Sequence, residues 1–220
     1  MKHRLEKVRL ALLALAASIL VGSLAACVPL VLGGAAVGTM IVATDRRTSG
    51  TQLEDEGIEI RAKSRIAELS TSSDKRHVNV TSFNRQVLLT GEVPTAEEHA
   101  LIEKIVQGVD NVLSVVNDLA VMPNSNLAQR SNDTLITGKV KASLIDAKDI
   151  SVSAFKVVTE RNTVYLMGRV TQREATRATE VVRGVGGVER VVRVFEVISE
   201  DELARYRAAL APVTKDAPAK

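Results

Sequence analysis

Tryptophan is absent from this 220-residue chain, and aromatic residues make up only 2% of it. Proteins that bind single-stranded nucleic acid stack bases on aromatic rings, so that mode of recognition has almost no material here. The cores must be built from Val, Leu, Ile and Ala. The single cysteine, Cys27, excludes a disulfide within the chain, so stability has to come from packing even in an oxidising compartment. No His-Glu-x-x-His, Gly-x-Ser-x-Gly or Walker-type sequence occurs. Catalysis, a bound metal and a cofactor are therefore not expected.

Charge is missing from residues 10 to 44. Lys2, Arg4, Lys7 and Arg9 precede that run, and Leu24-Ala25-Ala26-Cys27 sets small residues before the cysteine. This is the order of basic region, apolar region and cleavage site in a secretory signal. A transmembrane anchor is the competing reading, because about 20 apolar residues span a bilayer. Against it, Pro29, Gly33, Gly34 and Gly38 interrupt the run, and a spanning helix needs no small-small-Cys tripeptide at its middle. The segment resembles a bacterial lipoprotein signal. That resemblance implies removal of residues 1–26 and acylation of Cys27, with palmitate-type chains. It also implies the periplasmic face of the outer membrane, since Val28 stands where inner-membrane lipoproteins typically carry Asp. At about 0.8 kcal/mol per buried methylene, several acyl chains hold a protein far more firmly than one myristoyl group.

The rest of the chain repeats itself. Val78 to Val93 lies against Phe155 to Val170, matching Val80, Val87, Leu89, Gly91 and Val93 with Val157, Val164, Leu166, Gly168 and Val170. After a one-residue gap, Gly108 to Val112 matches Gly184 to Val188, and Val115-Val116 matches Val191-Val192. Two copies are expected at 55–121 and 131–198, with a short linker over 122–130 and a lipidated tether over 27–54. Helical spacing of Ile58, Ala62, Ile66 and Leu69 predicts a helix from Asp55 to Leu69, with Asp133 to Ile145 its counterpart. Hairpins turn at Asn84-Arg85 and at Glu160-Arg161-Asn162. Thr95 to Gln107 and Gln172 to Arg183 read as helices ended by Gly108 and Gly184 in a left-handed cap, and a Val-rich strand follows each. The fold class is α+β, two tandem αββαβ units, each with two helices on one face of a three-stranded mixed sheet. Gly91 and Gly168 relieve strand crowding, and Gly186-Gly187 makes a turn. Residues 199–220 read as a Ser199-x-x-Glu202 capping box, a short helix and a frayed tail. His77 and His99 occur in the first copy only, which excludes a duplicated metal or catalytic site and leaves them as surface histidines.

Leu89-Thr90-Gly91-Glu92-Val93 and Leu166-Met167-Gly168-Arg169-Val170, each followed by a helix and Gly-Val-x-x-Val, resemble the pattern of the BON domain family. With the lipobox, and with Ser131-Asn132-Asp133-Thr134 opening the second copy, residues 24–198 resemble the dual-BON outer-membrane lipoproteins linked to envelope integrity and division. The resemblance implies binding of anionic phospholipid by the second domain and no catalytic activity.

Charge supports the same assignment independently. Residues 55–121 carry seven basic and eleven acidic side chains, against eleven and eight for residues 131–198. Only the second copy suits an anionic surface. On its first helix Ile136, Val140 and Leu144 share a core stripe, which leaves Leu135, Ala142 and Ile145 pointing elsewhere with Lys139 and Lys141 beside them. Such a strip can dip among headgroups while each lysine contributes about 1 kcal/mol. Two alternatives stay open. Leu135 could pack against the first domain, or the protein could be an adaptor for outer-membrane protein assembly or cell-wall remodelling. Arg173, Arg177, Arg183, Arg190 and Arg193 form a further basic run that reads as a solvated face.

Overall fold

The computed structural model describes residues 45–69 and 76–210. The signal, Cys27 and the expected tail over 211–220 lie outside the described residues. Helix α1 spans Ser49–Ala67, β1 His77–Phe83, β2 Gln86–Val93, α2 Ala96–Gln107, β3 Ser114–Asn117 and β4 Ala120–Val121. The second copy follows as α3 Leu127–Asp146, a 3-10 turn at Val152–Ala154, β5 Phe155–Glu160, β6 Thr163–Thr171, α4 Gln172–Arg183 and β7 Arg190–Ile198, and α5 Glu200–Leu210 closes the chain.

In each copy the central strand pairs antiparallel with the first strand of its hairpin and parallel with the last strand. β3 and β4 are one strand interrupted at Asp118-Leu119, both pairing with β2. Alternation along β2 sends Val87, Leu89 and Val93 toward the helices, where they meet Ile58, Ala62 and Ile66 of α1 and Ile102 and Val106 of α2. Val164, Leu166 and Val170 of β6 meet Ile136, Val140 and Leu144 of α3 and Ala175, Ala178 and Val182 of α4 in the same way. The residues between them point to the opposite face. There Phe83 and Leu88 of the first sheet pack with Tyr165, Met167 and Val194 of the second. The two sheets therefore stack through the faces their own helices leave bare, giving layers of helix, sheet, sheet and helix. Burying a large apolar side chain is worth about 1.5–3 kcal/mol at most, so this third core couples the two domains. It also explains why both central strands read as nearly continuous apolar runs: neither has a solvent face.

Both hairpins turn on two residues with positive φ, Asn84 (50°) with Arg85 (66°) and Arg161 (50°) with Asn162 (60°), the backbone that a two-residue hairpin requires. Glu160 belongs to β5, not to the turn. The turns are held from the helices. Asp55 Oδ2 and Oδ1 accept the amides of Asn84 and Arg85 at 2.8 and 2.7 Å, and Asp133 accepts those of Arg161 and Asn162, each at 2.9 Å. Neither Asp opens its helix, contrary to the sequence reading. α1 starts at Ser49, capped by Thr48. α3 starts at Leu127 because the Asn126 side chain and Gln129 form a reciprocal capping box.

Two further expectations are corrected. Gly108 and Gly184 end their helices at φ −84° and −80°, outside the left-handed region. The left-handed residues come three positions later, at Asn111 (69°) and Gly187 (100°). Residues 46–54, expected as a tether, are built into the fold. Arg46 is buried and grips Glu174 with two bonds of 2.7 Å. Arg47 bridges Asp45 and Asp55 and lies 4.2 Å over the Phe83 ring. The Tyr206 hydroxyl of α5 donates to the Asp45 carbonyl, Leu203 is buried, and Glu202 pairs with Arg169 of β6, so α5 docks on the second domain. Gly91 is required where it stands: at φ 111° an added Cβ would lie 2.0 Å from the His77 carbonyl oxygen.

Candidate functional site

Helix α3 buries one stripe, Asp133, Ile136, Val140 and Leu144, and this fixes what its other side presents. Leu135 is 65% exposed and Ile145 62%, and Lys139, Lys141 and Ala142 are exposed with them. Leu135 therefore does not pack against the first domain, whose contact is made by the sheets. The earlier helix start adds Leu127, 80% exposed. At 100° per residue Leu127, Leu135, Ala142 and Ile145 fall within about a quarter-turn, along roughly 27 Å of helix axis. Leu127 was missed because Pro123-Asn124-Ser125-Asn126 read as linker through residue 130; the Asn126-x-x-Gln129 capping box was the signal available. Among the described residues Lys139 and Lys141 take part in no ion pair. Their charges face solvent on either flank of the apolar strip.

The other basic residues behave differently. Arg177 pairs with Asp149 at 2.9 Å, Arg173 lies 3.8 Å from Glu200, and Arg190 bonds Asp118 of the first domain. Arg183 and Arg193 are exposed. The run is largely neutralised by its neighbours, as expected of a solvated face.

Ion pairs also rim the stacked sheets. Lys156 reaches Glu59 at 3.0 Å, and Asn79 donates to Glu160 at 2.8 Å. Arg161 reaches Glu92, which is fully buried, at 2.9 Å. Burial raises the Glu92 carboxyl, but Arg161, Ser125 and His77 outweigh it and hold it below the ordinary carboxylate range. Burial raises Glu160 as well; although Asn79 and His77 oppose this, nearby Glu92 and Asp133 help keep it above that range. His77 is thus no surface histidine. Its Nδ1 lies 3.1 Å from Glu92 and 3.9 Å from Glu160. Glu92 occupies a variable place in Leu-x-Gly-x-Val, which reads as solvent-facing until the second sheet is known to cover it. His99 stays within the first domain, with Asn117 3.4 Å from its Nδ1.

Two copies of one αββαβ unit, stacked sheet to sheet and presenting an apolar, cation-flanked helix, define a tandem-domain α+β protein. The BON domain family matches residues 54–123 and 132–199, and the chain belongs to that family. It is 35% identical over 172 residues to the outer membrane lipoprotein DolP of Haemophilus influenzae, covering 78% of this chain and 89% of that one. It is 29% identical over 154 residues to a 21 kDa hemolysin of Actinobacillus pleuropneumoniae, covering 70% and 79%. With the osmotically-inducible protein Y of Escherichia coli it shares 32% identity over 145 residues, covering 64% and 72%. Among the described residues no helix is long and apolar enough to cross a membrane.

Proposed function

We propose that this protein is a non-enzymatic envelope lipoprotein, anchored through Cys27 at the periplasmic face of the outer membrane, whose α3 helix binds anionic phospholipid and so positions it within the envelope. The observation that carries the reading is the outward face of α3. Leu127, Leu135 and Ile145 are exposed in line, with Ala142 between the latter two and, at the flanks, Lys139 and Lys141, which pair with no acid among the described residues. A helix of this kind lies in the interface plane, its apolar side chains among headgroups and its lysines against lipid phosphate. The relation to an outer membrane lipoprotein supports the location.

The test is co-sedimentation of residues 45–220, which lack the anchor, with anionic and neutral vesicles across a salt series. Binding to anionic vesicles alone, weakening with salt, is the expected result. Leu135→Glu loses the apolar contact and adds a repelled charge, so affinity should fall on the order of a hundredfold with the melting midpoint unchanged. Vesicle binding that survives Leu135→Glu would remove α3 as the lipid face. No binding to any vesicle would favour the protein-adaptor role.

A further inference from the structure

Three side chains from the two domains converge at one end of the stacked sheets. His77 opens β1, Glu92 is its cross-strand partner near the end of β2, and Glu160 closes β5 of the second domain. Their donor atoms all lie within 4.8 Å of one another. We propose that His77, Glu92 and Glu160 form a site for one divalent cation of the zinc class, bridging the two BON domains.

The donor set and its spacing carry the argument. Zinc takes imidazole nitrogen and carboxylate oxygen at about 2.0–2.2 Å in tetrahedral geometry, which places the donors about 3.3–3.5 Å apart. The observed 3.1 Å from His77 Nδ1 to Glu92 Oε2 and 3.9 Å to Glu160 Oε1 bracket that separation. Closing the shell requires the three donors, now within 4.8 Å of one another, to draw in to that separation. Calcium wants six to eight oxygens, which this corner does not offer, and the imidazole points to a zinc-like ion instead. The neighbours suit the role. Arg161 holds Glu92 Oε1, and Oε2, which also accepts from Ser125 Oγ at 3.3 Å, faces the histidine, while Asn79 fixes Glu160 through Oε2 and leaves Oε1 toward it. These are the outer contacts that orient metal ligands. A recess of about 200 Å³ lined by Asn79, Arg130, Thr134 and Thr159 opens beside His77 and Glu160. It gives an ion a path and room for a water as fourth ligand. Charge favours occupancy too: two glutamates, with Asp133 near, face the guanidiniums of Arg161 and Arg130, and a dication offsets the remaining negative charge. On entry the metal takes the place of the proton between Nδ1 and Glu92, and the neutral imidazole then carries its proton on Nε2.

The full chain in detergent, stripped with chelator, is titrated with Zn²⁺ by calorimetry and with Co²⁺ by absorption. The expected result is one ion per chain, visible d–d bands without the thiolate charge-transfer that Cys27 would produce, and a melting midpoint that rises with zinc concentration. Glu160→Gln keeps the shape and the acceptor for Asn79, and His77→Asn removes the nitrogen ligand. Each should weaken zinc binding on the order of a hundredfold. No stoichiometric zinc binding, or equal affinity in parent and both variants, overturns the site. Should His77→Asn lower the metal-free melting midpoint, Glu160→Gln decides the matter alone.

Discussion

The two copies superpose in plan, yet their first helices present opposite surfaces. The hairpin-holding aspartates, Asp55 and Asp133, set the register of α1 against α3. The places of Leu135, Ala142 and Ile145 are then taken in α1 by Gly57, Ser64 and Ala67. α1 does expose Leu53 and Ile60, each 69%, but Glu56 lies between them. Arg61 pairs with Glu54 at 2.6 Å and Lys63 with Glu59 at 3.2 Å. Duplication preserved the buried stripe, because packing demands it, and released the outer one. One copy kept its cations unpaired beside apolar prongs; the other neutralised them.

The helix-opening glutamates give the sharpest contrast. Thr95 with Glu98 opens α2 and Thr171 with Glu174 opens α4. Glu174 is clamped by Arg46, with side-chain exposures of 1% and 4%, whereas Glu98 stands 3.7 Å from Arg76 and its Oε2 accepts no hydrogen bond. Glu174→Gln strands a buried guanidinium and should cost about 3 kcal/mol; Glu98→Gln should cost about 1 kcal/mol or less. Urea unfolding of the two variants measures the gap, and equal losses would mean that Arg46 is not a clamp.

The same pair sets an acid limit. Burial raises the Glu174 carboxyl, but Arg46 and the Thr171 amide more than reverse this, so its folded value lies below 4.5. A depressed folded value contributes stability above the unfolded value and loses it as pH falls through the folded one. Stability should therefore drop as pH is lowered below 4.5 through that value, and Glu174→Gln should flatten this part of the curve. An unchanged slope in the variant would assign acid sensitivity to other groups.

The glycines of Leu-x-Gly-x-Val are alike in sequence and unequal in strain. A Cβ at Gly91 meets the His77 carbonyl oxygen at 2.0 Å with φ at 111°, whereas at Gly168 it meets the Ala154 carbonyl oxygen at 2.5 Å. Gly91→Ala should cost about 2–3 kcal/mol and Gly168→Ala about 1–2 kcal/mol, read as melting shifts. A larger loss at Gly168 would invert the ranking.

What the sequence made legible follows one rule. Positions that face a helix within their own copy obey a period, so Ile58, Ala62 and Ile66, and Ile136, Val140 and Leu144, were readable, as was the exposed Leu135. Side chains whose burial depends on the other copy were not. Leu88, Tyr165 and Met167 lie in apolar runs whose second face cannot be inferred from one domain. Arg46, Glu92 and Glu174 are charged residues that local pattern assigns to solvent. The aspartates within the helices were mistaken for helix starts because Asp favours both places, and only the hairpin amides distinguish them.

The smallest expected effect tests the comparison most directly. Lys139 and Lys63 are both exposed lysines on first helices of their domains, so a mere count of charge treats them alike. Among the described residues Lys139 has no partner to give up, and its attraction for lipid phosphate, about 1 kcal/mol, is fully available. Lys63 already spends its charge on Glu59. Lys139→Gln should weaken binding to anionic vesicles about fivefold at low salt, with the difference closing as salt screens it. Lys63→Gln should leave binding within error, since α1 is not the lipid face and Glu59 keeps its pair with Lys156. Equal losses from both would mean that the membrane senses the net charge of the whole protein, and that α3 is no more a lipid face than α1.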